Sequence, residues 1–537
     1  MNARFLSLIL AASLAGCSSP PTLPPPADLG PVAAKPTSNG LPEDWHQGVF
    51  MEVFVRSYQD SDGDGQGDLR GLIQRLDHLQ ALGVTGLWLM PVTQSQDRDH
   101  GYATTDFRAI ERDYGSLADF DELLREAHRR GIGVIIDYVV NHSSHAHPLF
   151  QQAKSNPGNA YRDWFLWADS APAGWDIWGK YPWYWTGQQP WKWTGEVKDM
   201  PLAPAAAREF YFGTFGPHMP DFNMKNPAVV QWHEDNLRFW LNRGLDGFRL
   251  DAVPHLVENS AQAWNDQPES RALTQRIYRL ISQYPQRYTV CEATAEPAEY
   301  SREDVCGSAF AFGLERAIME ALKGEKSDAV QRIGDFFKTR PHRMATMLAN
   351  HDIFAGHRIW DQLQGDEAKY RLAAASYLLQ PGIPFIYYGE EIGQGGLMDL
   401  RGDAPIRGPM SWDASAPHAG FSTHVGPLKR GRSPNAGTHN AAAQRADPDS
   451  LFHHYRQLIA LRKAHPALKR GSYEAVQVQG PILSFERRAE GEALRVSLNY
   501  SGDTQPWPAV GSALWGSPVA AADRLPAWGV RVERLPR

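Results

Sequence analysis

Residues 133–142 read GVIIDYVVNH, and this stretch decides the fold of the 537-residue chain. Its apolar, β-branched run at 133–140 predicts a buried strand, because such residues suit a sheet that is covered on both faces. A helical pattern at 117–130 precedes the run, and the polar pair Asn141 and His142 ends it. Buried strands that alternate with helices are typical of a parallel sheet with helical crossovers.

The same unit recurs beyond Trp45, with further helical patterns at 229–243 and 271–284. Eight parallel strands with helices between them close into a (β/α)8 TIM barrel, an α/β fold whose catalytic groups lie at the carboxyl ends of the strands. Polar residues do follow the runs at those ends, among them Asp137, Asn350 and Asp352. The predicted strands are 49–55, 84–90, 133–140, 247–250, 288–291, 308–312, 345–348 and 384–388.

Composition narrows the class of ligand. The net charge of −7 is small for this length and argues against nucleic acid as a partner. The 18 tryptophans are unusual, and many lie in one stretch between 145 and 221, which favours a ligand with flat apolar faces. A loop of that length with little regular pattern is usually functional.

Ordered sequence blocks between about 47 and 465 resemble the α-amylase superfamily, glycoside hydrolase family 13. They are DYVVNH at 137–142, MPDFN at 219–223, GFRLD at 247–251, CEA at 291–293 and NHD at 350–352. The resemblance implies a retaining glycosidase with Asp251 as nucleophile, Glu292 as general acid/base and Asp352 holding the sugar hydroxyls. Such cleavage needs two carboxyl groups about 5–5.5 Å apart.

The same resemblance implies the substrate-binding residues. Arg249, two residues before the nucleophile, would keep it ionised and oriented. His142 and His351 would donate hydrogen bonds to a bound glucose, and Tyr102 would supply its stacking face. Arg407 and His255 complete the implied set.

The reaction is less defined than the site. Ala103 stands where exo-acting relatives commonly carry an Asp, and this favours an open, α-amylase-like cleft for α-1,4-linked starch-type glucans or maltooligosaccharides. The segment 252–255 (AVPH), with Pro254, resembles trehalose synthase-like enzymes, so an α-glucosidase or an α-glucosyl transferase or isomerase is the alternative. A glucan-binding lipoprotein without activity is a third reading, which the complete carboxylate trio disfavours.

A second group of polar residues, Asp60, Asp62, Asp64, Gln66 and Asp68, alternates with glycines. Oxygen ligands at alternate positions of a tight loop suit a hard cation. The loop resembles the calcium loop after the first barrel strand of oligo-1,6-glucosidase-like enzymes, so Ca²⁺ is the expected cofactor.

The segments before and after the predicted barrel differ in character. Residues 1–17 form a short signal segment whose LAGC ending resembles a lipobox, which makes Cys17 the expected lipidation site and predicts an outer membrane lipoprotein that faces the periplasm or the cell surface. A Pro-rich tether at 18–46 follows.

The barrel is expected at 47–145 and 223–467, around a Trp-rich insertion at 146–222. Alternating runs at 475–478, 482–486 and 494–498 predict an antiparallel β domain over 468–537.

Two further cysteines, Cys291 and Cys306, remain after lipidation. They could pair in an oxidising compartment, or Cys291 could be a buried free thiol.

Overall fold

The computed structural model describes residues 27–97, 99–187, 207–517 and 522–536. The strands in these ranges are β1 (Phe50–Val53), β2 (Gly86–Leu89), β3 (Thr93–Ser95), β4 (Thr104–Ile110), β5 (Gly133–Val139), β6 (Trp167–Ala168), β7 (Trp183–Trp185), β8 (Phe210–Phe212), β9 (Gly247–Asp251), β10 (Tyr288–Cys291), β11 (Ala345–Thr346), β12 (Ile383–Tyr387), β13 (Glu474–Gln479), β14 (Ile482–Ala489), β15 (Glu492–Asn499), β16 (Gln505–Pro506), β17 (Ser512–Gly516), β18 (Arg524–Leu525) and β19 (Val530–Arg534).

The α-helices in the same ranges are α1 (Leu69–Leu82), α2 (Leu117–Arg129), α3 (Pro148–Ser155), α4 (Pro227–Asn242), α5 (Pro268–Ile281), α6 (Pro297–Tyr300), α7 (Leu314–Lys323), α8 (Ala329–Asp335), α9 (Ile359–Gln362), α10 (Glu367–Leu378), α11 (Ala441–Ala446), α12 (Leu451–Ala464) and α13 (Pro466–Arg470). Side chains cap several of them. At the start of α2, Ser116 and Asp119 exchange hydrogen bonds in a capping box.

Parallel strands form the barrel in the order β10-β9-β5-β2-β1-β12-β11. The gap between β10 and β11 is filled by a short segment, in which Ala309 pairs with Cys291 and Phe310 pairs with Ala345, both in parallel. This segment lies within the eighth strand predicted at 308–312. The predicted (β/α)8 barrel is therefore confirmed.

The inside of the barrel changes from apolar to polar along each strand. Alternate residues of a strand share a face, so Phe50 and Glu52 of β1 lie on one side, as do Ile135 and Asp137 of β5. The apolar members pack in a separate cluster with Trp88. The polar members, Glu52 and Asp137, are also buried and lie nearer the carboxyl ends. The strands thus build an apolar floor beneath a ring of charged groups.

The insertion after the third barrel strand contains a small antiparallel sheet in the order β6-β8-β7. Several tryptophans serve its packing: Trp164 is buried, and Trp175 contacts both Trp183 and Phe212 edge-on. Trp178 is different, because 56% of it is exposed. Trp191 and Trp193, which belong to the Trp-rich stretch between 145 and 221, lie outside the described residues.

The described part of the predicted tether lies against the barrel rather than apart from it. The Val32 amide donates to Asp235 (3.0 Å), and the Asn39 side chain donates to Asp246 (2.7 Å). Cys17 lies outside the described residues. Within the residues that the structure covers, no helix combines the length and apolar character needed to cross a membrane.

The C-terminal region is antiparallel, as the sequence predicts, with a main sheet in the order β13-β14-β15-β19-β17 and a small sheet of β16 and β18. It packs on the barrel through α8 and α13. Cys291 and Cys306 form a disulfide, which decides between the two states that the sequence left open.

Candidate active site

The predicted catalytic carboxylates come together at the carboxyl end of the barrel. Asp251 ends β9, Glu292 follows β10 directly, and Asp352 lies in the loop after β11. Asp251 and Glu292 are buried, while the side chain of Asp352 is 24% exposed. Convergence follows from the fold, because parallel strands place their carboxyl ends on one rim.

A single guanidinium holds the first two carboxylates. Nη1 of Arg249 lies 2.5 Å from Asp251 and 2.8 Å from Asp137, and Nη2 lies 2.9 Å from Glu292. The Ala252 amide also donates to Glu292 (3.2 Å). Because one planar group contacts both Asp251 and Glu292, the two carboxylates are fixed within reach of one sugar ring.

The electrostatics of the pair suit an acid and a nucleophile. Burial raises the pKa of Asp251 to about 6, against the attraction of Arg249. Burial raises the pKa of Glu292 to about 7, and the negative charges of Asp251 and Asp352 add to this effect. The nucleophile therefore loses its proton first, and the acid keeps its own near neutral pH.

Asp352 belongs to a charged network with a histidine. His351 lies 3.2 Å from Asp352 through Nε2 and 2.6 Å from the buried Glu52 through Nδ1. Although burial opposes its charged form, these two carboxylates raise the pKa of His351 to about 10. Burial likewise opposes ionisation of Asp352, but His351 and Arg407 hold its pKa well below the usual range. Asp352 is thus a permanent anion.

Tyr102 and Arg407 complete this side of the site. The Tyr102 hydroxyl donates to Asp137 (2.9 Å) and contacts His351 (2.5 Å), and its ring stacks on the imidazole of His351 with an interplanar angle of 17°. Arg407 lies 3.0 Å from Asp352 and donates to the His351 carbonyl (2.8 Å). Arg407 therefore orients the carboxylate that is expected to hold the sugar, and Tyr102 fixes the neighbouring His351.

His142 and His255 each have a ring nitrogen without a hydrogen-bond partner. Nε2 of His142 and Nδ1 of His255 are buried without a hydrogen-bond partner. Burial lowers the pKa of His142 to about 3 and that of His255 to about 4, so both are neutral. Each keeps a ring nitrogen that a sugar hydroxyl could pair with.

Ala103, on which the expectation of an open cleft rests, is completely buried. An acidic residue lies on the same loop, three residues before Tyr102: Asp99 accepts from Nη2 of Arg430 with both carboxylate oxygens (2.7 and 2.9 Å). Although burial opposes ionisation, Arg430 and Lys429 lower the pKa of Asp99 to about 2.

In the loop after β1, only some of the predicted cation ligands lie close together. Carboxylate oxygens of Asp60, Asp62 and Asp68 lie within 4.8 Å of one another, and Asp64 is not in that group. The Asp64 carboxylate instead accepts from the Gln66 amide (2.8 Å), and the Gln66 side-chain oxygen accepts from Arg56. Asp68 has a second duty, because it caps α1 by accepting from the Gly71 amide (2.8 Å).

Three functional residues escaped the sequence analysis. Glu52 could have been found, because an ionisable residue inside an apolar strand is a strong signal. Asp99 and Arg430 carry no such signal: they are 331 positions apart and meet only in the folded chain.

Comparisons with known proteins agree with this geometry. A family model described as the α-amylase catalytic domain matches residues 52–471. A trehalose synthase/amylase of Mycobacterium tuberculosis is 33% identical over 517 residues, which cover 87% of this chain and 83% of that protein. A probable α-glucosidase of Rhizobium meliloti is 30% identical over 560 residues, covering 92% and 97%. The crystal structure of a trehalulose synthase from Pseudomonas mesoacidophila superposes with a TM-score of 0.78 at 25% identity, covering 91% of this chain and 99% of that one.

Proposed function

The chain belongs to the α-amylase family, glycoside hydrolase family 13, and from this premise we propose that it is a retaining, exo-acting enzyme. It hydrolyses or transfers one α-glucosyl unit from the non-reducing end of a short α-glucoside. This is the α-glucosidase or α-glucosyl transferase reading of the sequence, and we favour it over the starch-cleaving endo-amylase reading.

The chemistry runs in two displacements. The Asp251 carboxylate attacks the anomeric carbon while Glu292 gives its proton to the departing glycosidic oxygen. A water or a sugar hydroxyl then gives its proton to Glu292, its oxygen attacks the same carbon, and the bond to Asp251 breaks. Asp352 stays ionised throughout and binds hydroxyls of the glucosyl unit as the ring flattens. The order of the two pKa values supports these roles.

The observation that carries the exo assignment is the ion pair between Asp99 and Arg430. Asp99 shares its loop with Tyr102, whose hydroxyl reaches both His351 and Asp137. The pair therefore ties the rim beside Tyr102 to the segment that carries Arg430, and we infer that this tie closes one end of the site. A closed end suits the terminal unit of a chain and excludes a chain that continues in both directions.

The names of the relatives support the same reading. They include a trehalose synthase/amylase and a probable α-glucosidase, whose alignments cover 87% and 92% of this chain. The small α-glucosides that these names indicate are the substrate class proposed for this chain.

Maltoheptaose that carries a fluorophore at its reducing end tests the proposal. An exo-acting enzyme releases unlabelled glucose and leaves labelled maltohexaose as the first large product. Labelled fragments of mixed length would indicate an endo-amylase, and absence of turnover would indicate a glucan-binding protein. The first sugar released should be the α-anomer by NMR; a β-anomer would contradict a covalent intermediate on Asp251.

We also propose that the loop after β1 holds Ca²⁺. A cation 2.3–2.6 Å from each oxygen fits a group whose oxygens lie within 4.8 Å of one another, as those of Asp60, Asp62 and Asp68 do. Asp64 would join on a side-chain rotation, and Gln66 would use its main-chain carbonyl. Burial, together with the charges of Asp62 and Asp60, raises the pKa of Asp64, so a cation would relieve this crowding.

The ion would supply positive charge to a loop that begins α1, and it takes no part in bond cleavage. Excess EDTA should lower the melting temperature, and Ca²⁺ should restore it more fully than Mg²⁺. The Asp62→Asn variant is the control, because it should no longer respond to either addition. An EDTA-insensitive melting temperature of the unmodified protein would contradict the site.

From residues 1–17 we further propose that Cys17 carries lipid and anchors the enzyme at the outer membrane, on the periplasmic or the surface side. Mass spectrometry of the mature N-terminus tests this, with Cys17→Ser as the control that should appear in the soluble fraction. An unmodified N-terminus at another residue would refute the lipid anchor.

A further inference from the structure

Aromatic side chains form a wall beside His255. The ring of Trp178 meets His255 edge-on at 5.2 Å and Trp264 at 5.5 Å, and His255 stacks on Trp264 with an interplanar angle of 13°. Phe215 contacts His255 (5.7 Å) and also His142 (5.2 Å). The aromatic wall, consisting of Trp178, Phe215, His255 and Trp264, therefore begins next to the glucose-binding residue His142 and extends away from it.

The position of His255 shows which side of the cleaved bond the wall serves. The Ala252 amide contacts Glu292, the acid that protonates the departing oxygen. His255 lies in a single 3₁₀ turn that follows Ala252, and its amide donates to the Ala252 carbonyl (2.9 Å). The aromatic wall thus stands on the side where the leaving group departs and where an acceptor would arrive.

Trp178 occupies a backbone position that does not suit it. Ile177 and Lys180 exchange hydrogen bonds (2.8 and 3.0 Å), so Trp178 and Gly179 are the two central residues of a tight hairpin. Their φ angles are +52° and +80°, the left-handed pair of a type I′ turn. Such turns favour Asn-Gly, and a bulky residue in the left-handed region is an outlier.

This strain is not offset by burial. Trp178 is 56% exposed, so the tryptophan gives up much of the stabilisation that its ring would gain in a core. A residue that costs stability twice, in backbone strain and in exposure, is a candidate for function. Its ring is nearly perpendicular to His255 and Trp264 and tilted by 42° to Phe215. The exposed 56% of the side chain is the surface that it offers to the apolar face of a pyranose.

We propose that Trp178 is the platform for the sugar on the leaving-group side, and that it sets the partition of the glucosyl-enzyme between a sugar acceptor and water. The unpartnered Nδ1 of His255 would pair with a hydroxyl of the same sugar. A platform that holds a sugar close to the intermediate favours its hydroxyl over water as the attacking group. The inference rests on the proposed retaining glucosyl chemistry and adds the acceptor class, a second hexopyranose.

The test compares two glucosyl donors in the Trp178→Ala variant. Maltose fills the leaving-group side with glucose, whereas α-glucosyl fluoride leaves it empty. We expect kcat/KM for maltose to fall about tenfold further than kcat/KM for the fluoride, the scale of one stacking contact. With the fluoride as donor and glucose as acceptor, the ratio of disaccharide formed to fluoride hydrolysed should also fall about tenfold.

Three variants separate recognition from structure. Trp175→Ala removes a tryptophan of the same insertion that packs on Phe212 instead of His255, and it should leave both ratios unchanged. Trp178→Phe should restore part of each ratio. Trp178→Asn places the residue that the turn prefers, so it should keep or raise the melting temperature while it loses acceptor use.

The outcomes are distinguishable. Equal losses for both donors, or an unchanged partition in Trp178→Ala, would overturn the platform. If the unmodified protein does not turn over the fluoride, the proposed function fails instead. The platform then still faces a binding test: maltose titrated into Glu292→Gln should bind more weakly when Trp178→Ala is added, and equal affinity would overturn it.

Discussion

Replacing Arg430 by Met should destabilise the protein and change the bond that it cleaves first. Arg430 is 7% exposed and pairs through two hydrogen bonds with Asp99, whose side chain is 21% exposed. The substitution keeps much of the side-chain volume and removes the charge. Asp99 would then keep its ion pair with Lys429, which is 62% exposed.

The pKa of Asp99 gives the magnitude. Lowering it from 3.8 to about 2 corresponds to about 2.5 kcal/mol in favour of the charged form. Because the pKa in the folded state lies below that of the unfolded chain, this stabilisation is complete above the usual pKa of 3.8 and disappears as the pH falls through about 2. Arg430→Met should therefore cost about 2 kcal/mol near neutral pH, and less in acid.

A double-mutant cycle with Asp99→Asn measures the coupling by urea denaturation. The control is the pair of Arg243 and Asp121, which also makes two hydrogen bonds, through Nε and Nη2, but lies between outer helices, 26% and 42% exposed. An exposed pair contributes at most about 1 kcal/mol, so its cycle should give a clearly smaller coupling. The same Arg430→Met protein should release labelled fragments shorter than maltohexaose from end-labelled maltoheptaose, because one end of its site is no longer closed.

Two results would refute this reasoning. A coupling no larger than that of the control pair would mean that Asp99 is not held as an anion by Arg430. An unchanged order of products, in a variant that is destabilised as expected, would mean that the pair supports the rim without closing the site.

Three further predictions concern the catalytic side. The dependence of kcat/KM on pH should be bell-shaped between about 6 and 7, and Glu292→Gln assayed with α-glucosyl fluoride should lose only the alkaline limb; a retained alkaline limb would assign the acid to another group. Glu52→Gln removes a negative charge that holds His351 protonated, so kcat for maltose should fall about tenfold while KM changes little. An unchanged kcat would mean that Glu52 does not support the site. Cys306→Ser opens a loop of 15 residues next to Glu292 and should lower the free energy of unfolding by about 3 kcal/mol by denaturant titration; equal stability with and without reductant in the unmodified protein would contradict the disulfide.

Much of the fold and the catalytic trio could be predicted from the sequence, because both depend on patterns that are local. A strand shows itself by an apolar run, and the residue after it lies at the rim once the strands are parallel. The strand ends pointed to polar residues at the rim, and the resemblance to the α-amylase superfamily assigned the roles of Asp251, Glu292 and Asp352. Arg249 was placed beside Asp251 because residues two apart on a strand share a face.

The errors and omissions concern partners that are distant in sequence. The sequence argument used Ala103 and missed the ion pair that Asp99, on the same loop, makes with Arg430. In the loop after β1, the spacing predicted five ligands, but hydrogen bonds turn the side chains of Asp64 and Gln66 to other groups. Such choices depend on neighbours that the spacing does not contain.

The sequence by itself predicted the barrel and its strand ends, since periodicity and strand-end position are properties of short segments, and its resemblance to a known family implied which carboxylates react. Only the tertiary structure decided which charges meet: Glu52 behind His351, Arg430 on Asp99, and Trp178 across from His255. The physical reason is that these features depend on burial and on contacts between segments far apart in the sequence. The shifted pKa values, the Asp99–Arg430 ion pair and the aromatic wall therefore exist only when the chain is folded.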